Sequence, residues 1–253
     1  MRRLLLPLAA ILVLLGVWEL YVSTAGVSSL VLPSPIDVGR AFVVDRGALW
    51  HNLKPTAMEI VLGIVIGAAA GLLVAVALRF SPGAREATYP LLVASQAIPI
   101  PILAPLLVVW LGFGLLPKLV VIALVTFFPV AVTTLSALAA VDPDLIKLMR
   151  TLDAGRWQTF LRVELPSALP GVFAGAKVAA VFSVIAALLG EQAAGSNSGL
   201  GYLLTVTVQN LEMSEAFASV CVLAGFAVVL FALLTLLERR ALPWVHRSTS
   251  TGA

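Results

Sequence analysis

Six apolar runs, at residues 4–22, 57–79, 87–111, 118–140, 168–190 and 214–237, set the problem this chain has to solve. Coiled as a helix, a run of about twenty residues crosses the roughly 30 Å hydrocarbon core of a bilayer. A backbone in that core has no water to bond, so runs of this length resolve as helices whose N–H and C=O groups satisfy each other. The polar residues needed for a soluble surface are also missing. Only 11% of the chain is charged and 60% is hydrophobic, against about a quarter charged in soluble domains. The expectation is an all-α, polytopic membrane protein with six transmembrane helices and an outer surface in contact with membrane lipid. The first run follows Arg2 and Arg3, and Ser23 and Ala25 could mimic a leader cleavage site. Its span-like length, with Trp18 and Tyr21 near its end, favours a retained helix instead.

Three organisational units are expected. Residues 1–56 form an N-terminal helix and extracytoplasmic loop, residues 57–240 a core of five transmembrane helices, and residues 241–253 a polar tail. Within 23–56, a mixed loop, Ser34-Pro35-Ile36-Asp37 reads as a helix start. Ile36, Phe42, Val43 and Val44 suit a helix lying on the bilayer surface. His51 falls in this loop with no ligand partner at metal spacing. In the second run Gly63, Gly67 and Gly71 recur every fourth residue, a smooth face for close packing within the chain, with a subunit interface as the alternative. The third run carries Pro99, Pro101 and Pro105, which remove backbone hydrogen bonds and predict a bent or partly unwound span. Such breaks are tolerated where they meet protein or a water-filled path. Ser95, Gln96 and Pro99 at the break, with Ser183, Glu191 and Gln192 in and after the fifth run, are therefore the candidates for lining a pathway. Thr126, Thr133 and Thr134 can bond back to their own helix. Lys177 is expected to snorkel to the surface, with pairing inside the bundle as the alternative.

The longest polar interruption in the second half, 142–170, is patterned too regularly for a slack loop. Asp142 suits a helix N-cap, Pro143 the first turn, and Asp144 the positive helix end. Leu145, Leu148, Met149 and Leu152 follow at helical spacing, with Lys147 and Arg150 off that stripe. Asp153-Ala154-Gly155 can turn the chain, since Asp and Gly tolerate left-handed angles. A second short helix is expected next. It would carry Trp157, Phe160 and Leu161 on one side, with Arg156, Gln158, Thr159 and Arg162 around it. Pro166 and Pro170 then open the fifth run. Two short amphipathic helices between spans predict a docking element for a partner.

Charge places that element. Six spans put both termini on one side with Arg79, Arg85, Lys147, Arg150, Arg156 and Arg162. Together with Arg2, Arg3, Arg239, Arg240 and Arg247 they make eleven basic residues. The other side has four: Arg40, Arg46, Lys54 and Lys118. The positive-inside rule puts both termini and the 142–170 loop in the cytoplasm. The cations are scattered through short loops, and Asp142, Asp144, Asp153 and Glu164 balance those of the long one, so a nucleic-acid partner is not expected.

Several chemistries lack their residues. No glycine loop ends in Lys-Ser/Thr to hold a nucleotide phosphate, and no HExxH, CxxC or nucleophile elbow is present. His51 and His246 are far apart, and Cys221 is the single cysteine. The expectation is a non-catalytic chain with no catalytic residue, metal site or cofactor. An ion-coupled secondary transporter is the alternative. It would usually place carboxylates at mid-membrane; here such groups are sparse, with Glu19 and Glu59 in or near spans and Glu191 near the outer end of one.

The chain resembles the permease subunits of ATP-binding-cassette importers, in the branch that takes up nitrate, sulfonates, taurine and pyrimidine vitamin precursors. Their cytoplasmic signature is E-A-A, three residues, G, about nine residues, then I-x-L-P. Lys147-Leu148-Met149 stands at the first positions, Asp153 at the glycine, and Val163-Glu164-Leu165-Pro166 at the last. Leu32-Pro33-Ser34-Pro35, Ile98-Pro99, Trp110-Leu111-Gly112-Phe113-Gly114, Phe128-Pro129 and Ser198-Gly199-Leu200-Gly201-Tyr202 are similar to this branch as well. The departures are Lys147 for an acidic residue and Asp153 for glycine. The resemblance implies a type I importer permease fold and two permease copies, here a homodimer, in a bacterial inner membrane. It also implies ATPase subunits docked in the cytoplasm and an extracytoplasmic substrate-binding protein. Leu148, Met149, Leu152, Trp157 and Phe160 would supply buried contacts to the ATPase and Arg150 and Arg156 a polar rim, with Lys147, Asp153, Gly155 and Pro166 shaping the loop. The GSNSGLGY loop looks most like that of pyrimidine-precursor permeases.

Overall fold

The computed structural model describes residues 2–244, all of whose regular elements are helices. The side chains of Arg2 and Arg3, and residues 245–253 with His246, Arg247 and most of the expected tail, lie outside the described residues. Two compact units emerge, and neither is contiguous in sequence.

One unit takes in the described part of Met1–Ala57 together with Gly195–Gly225. It holds α1 (Arg2–Ala25), α2 (Pro35–Val44), the start of α3 (Arg46–Arg79), α10 (Leu200–Gln209) and the start of α11 (Met213–Ala241). Ser34 caps α2 as its sequence foretells: its Oγ accepts the Asp37 N–H at 3.1 Å, and Pro35 fills the first position. Ile36, Val43 and Val44 are exposed on this helix. The loop expected over 23–56 is largely helical, however. α3 begins at Arg46, after Asp45 alone, and runs 34 residues through Pro55, which places His51 in a helix. α10 also lies where a loop was expected. Its start is capped from a distance: the Gly199 N–H donates to Asn52 Oδ1 at 2.9 Å, and the Leu200 N–H to Thr56 Oγ at 2.8 Å. Trp18 packs on Phe217 at 5.9 Å between centroids.

The second unit takes in Met58–Ala194 with the described part of Phe226–Ala253. At its centre is α6 (Leu115–Ala139), which buries Ile122, Val130, Ala131 and Leu135. α3 and α9 (Leu165–Ala193) both pack on α6 through small residues. A Cβ at Gly67 would stand 1.9 Å from Thr126 Oγ1, and one at Gly175 2.1 Å from Thr133 Oγ1. The glycine stripe of the second run is thus a packing face within the chain, where dispersion at close approach replaces the hydrophobic effect that lipid cannot supply. Thr133 returns its hydroxyl to Pro129 O at 2.7 Å.

The proline-rich third run is broken as expected. α4 (Pro82–Ser95) and α5 (Ile100–Leu111) meet at 99° across residues 96–99, and Pro99 caps α5. Pro90 and Pro105 sit inside these helices without ending them. Among the described residues four helical segments are long and apolar enough to span a membrane, or five if the bent pair counts as one, against the six expected. The first run is helical, within α1.

Candidate functional site

The polar segment 142–170 opens with α7 (Pro143–Thr151). Asp142 caps it, its Oδ1 accepting the Asp144 N–H at 2.8 Å. Nothing on α7 is buried. Leu148 is 56% and Leu152 68% exposed, and Leu145 and Arg150 are exposed beside them. Met149 is half-buried, and Lys147 reaches only its neighbour Asp144, at 2.8 Å. The helix ends at Asp153, the residue that takes the left-handed angle, with φ 53°. Gly155 has φ −65° and is instead the N-cap of α8 (Arg156–Thr159), its N–H donating to Gln158 Oε1 at 3.2 Å.

The second short helix is not a separate body. α8 passes through one π turn (Phe160–Glu164) directly into α9, giving one helical segment, Arg156–Ala193. Leu165 N–H reaches back five residues to Phe160 O, and Pro166 brings no N–H to restore the four-residue ladder. Phe160 and Glu164, four residues apart, both face inward from this segment. Phe160 is 2% exposed and packs with Leu138 and Ala168, so it belongs to this chain's own core and is not offered to a partner as expected. Trp157 keeps 57% exposure while touching Phe80 and Phe160 at 5.7 and 5.4 Å. Glu164 accepts a two-pronged bond from Arg79: Nε to Oε2 at 2.7 Å and Nη2 to Oε1 at 2.6 Å. Eighty-five residues separate the two, and no local pattern announces the pair. Pro166 lines a shallow groove of about 460 Å³ with Leu145, Arg162 and Trp244.

A second feature lies at the broken span. A cavity of about 410 Å³ is lined by Ser95, Gln96, Ile98 and Leu103 from the break, Leu124 and Phe128 from α6, and Val178 and Phe182 from α9. No charged side chain lines it. Of the six pathway candidates, only Ser95 and Gln96 line this cavity. Pro99 forms the break beside it. Ser183 is buried and returns its hydroxyl to Ala180 O at 2.8 Å. Gln192 is exposed near the end of α9. Glu191 is fully buried against Glu59, the carboxylate that accepts a hydrogen bond from Lys118. Lys177 likewise pairs with Glu238 and lies 6.0 Å from the Phe231 ring centre, so it does not snorkel as expected. Its partner is 61 residues away, outside the reach of any local pattern.

A protein family described as "Binding-protein-dependent transport system inner membrane component" matches residues 63–243. The formylaminopyrimidine transport permease protein ThiX of Halalkalibacterium halodurans is 34% identical over 239 residues, covering 94% of this chain and 95% of that protein. A probable ABC transporter permease protein of Haemophilus influenzae is 33% identical over 229 residues, covering 90% and 93%. Among solved structures, an amino acid ABC transporter aligns with a TM-score of 0.62 at 17% identity, over 79% of this chain and 96% of that one.

Proposed function

Because the chain belongs to the binding-protein-dependent transport system inner membrane components, the permease subunits of ATP-binding-cassette importers, we propose that α7 is the surface on which its ATPase docks. The permease itself is a multi-pass, non-catalytic transport subunit. The observation that carries the docking reading is the apolar stripe of α7, capped and regular yet without one buried residue. Leu145, Leu148 and Leu152 supply the anchor, Met149 its flank, and Lys147, Arg150 and Arg156 the rim. Interface energy concentrates in a few such central groups. In this reading the 142–170 loop and both termini face the cytoplasm, a second copy completes the pathway, and an extracytoplasmic binding protein delivers the solute. Leu148→Asp tests the docking directly: membrane insertion stays intact and co-purification with the ATPase is lost. Insertion and complex both surviving would place the contact elsewhere.

The cavity at the broken span supports a substrate class. Its walls are aliphatic and aromatic, with the Ser95 hydroxyl and the Gln96 amide as polar groups and no cation. Such a lining suits a small, uncharged heteroaromatic solute of the pyrimidine-precursor kind. A sulfonate, taurine or nitrate would enter without a counter-charge, at a high desolvation cost. The likeness to a formylaminopyrimidine permease agrees with this reading. Uptake into vesicles carrying the assembled transporter is the test. Formylaminopyrimidine uptake that falls with Gln96→Ala supports the assignment, and preferential taurine uptake rejects it.

A further inference from the structure

Docking explains how an ATPase is held, not how its movement reaches the membrane. On the docking reading above, and resting on it, we infer that Arg79 and Glu164 form a positioning pair that ties the loop to α3, so that displacement of the loop moves α3, α6 and α9 together.

The two halves of the loop are built differently. α7 buries no residue and is joined to α8 by the turn at residues 152–155. α8 and the π turn are clamped. Their backbone is continuous with α9. Phe80 packs at a tilt against Trp157 and Phe160, at 5.7 and 5.2 Å between centroids. Beside that contact the Arg79 guanidinium holds the Glu164 carboxylate at two points. Glu164 is buried, and a planar fork on a planar carboxylate fixes direction as well as distance.

That clamp closes a mechanical circuit. A push on the loop enters α9 along its own backbone and enters α3 through Arg79. Both helices already grip α6 at near-contact backbone distance through Gly67 and Gly175. α6 and α9 in turn supply Phe128 and Phe182 to the cavity wall. With the pair intact, a push therefore reaches α6 from α3 and α9 together, and through α6 and α9 it reaches two walls of that cavity. Without it, α9 can tilt while α3 stays behind.

The test uses the chain assembled with its ATPase, in lipid, with Cys221→Ser as background and Ser95→Cys as a reporter at the cavity. The readout is the rate of reporter labelling by a methanethiosulfonate reagent, with and without ATP and vanadate. The parent is expected to show an ATP-dependent change. Arg79→Gln should keep the ATPase bound and hydrolysing ATP but lose that change. Arg79→Lys, which keeps the charge without the fork, should slow it by about tenfold. Reversing the pair, Arg79→Glu with Glu164→Arg, should restore most of it. An unchanged response in Arg79→Gln would overturn the inference. So would loss of assembly in Arg79→Gln that the reversed pair fails to repair, since a purely structural role behaves that way. Leu148→Asp separates the readings, because it removes the ATPase altogether, whereas Arg79→Gln leaves it bound and removes only the response.

Discussion

Among the described residues, two hold left-handed backbone angles without being glycine: Asp153 at φ 53° and Leu211 at φ 62°. Both occupy the same position in the same device. After α7, Ala154 N–H bonds Met149 O and Asp153 N–H bonds Arg150 O; after α10, Glu212 N–H bonds Thr207 O and Leu211 N–H bonds Val208 O. These are Schellman caps, whose left-handed residue is ordinarily glycine. Asp bears that angle better than most residues because its short polar side chain can bond locally, whereas a branched apolar side chain gains nothing from it. Asp153→Val should destabilise the turn by about 1–2 kcal/mol, and Leu211→Gly should recover strain of similar size at the other cap. Thermal unfolding in detergent measures both, and opposite signs are the expected outcome. Asp153→Val should also weaken ATPase binding, since it disturbs the end of α7, while Leu211→Gly should leave binding unchanged. The Asp153 turn was readable from the sequence because Asp and Gly lie within three residues. Leu211 carries no such signal.

Helices whose ends are satisfied locally were legible, and those satisfied from afar were not. Ser34, Pro35 and Asp37 announce α2, and Asp142, Pro143 and Asp144 announce α7, because cap and first turn lie side by side in sequence. The prolines after Gln96 announce the broken span for the same reason. α10 begins on Gly199 with no local side-chain cap. Its donors find Asn52 and Thr56 about 145 residues back, a dependence no window on the sequence contains. Asn52→Ala should therefore loosen a helix far from the substitution, at a cost of about 1 kcal/mol. Hydrogen exchange of the Gly199 and Leu200 amides reads this out. Faster exchange there is expected, with the α2 amides as an unaffected control. The candidate site divides along the same line. The exposed stripe of α7 follows from spacing alone. The fate of Phe160, Ser183 and Glu191 depends on which neighbouring helix covers them, and spacing does not say.

For the molecule as a whole, the informative charges are those the membrane part hides. Glu59 on α3, Lys118 on α6 and Glu191 on α9 are buried together, and these are the helices of the central packing unit. A carboxylate at membrane depth ordinarily raises the question of ion coupling. Here the lysine between helices gives it a structural purpose instead: three helices are held in register by one cluster. Burying charge costs several kcal/mol per ion, so the cluster is stable only while complete, and removing a single member is worse than removing a pair. Lys118→Met should destabilise the folded chain by about 3–5 kcal/mol, because it strands two acidic groups without their cation. Lys118→Met with Glu59→Gln should recover much of that loss, and Glu59→Gln alone should lie between them. Unfolding by a denaturing detergent, followed by circular dichroism, ranks the three. Uptake supplies the functional arm. Transport by the recovered double variant should still require ATP and should be insensitive to a protonophore, because the cluster holds helices and carries no ion across. If the double variant folds as well as the parent yet transports nothing, the cluster has a part in the transport cycle beyond holding the bundle.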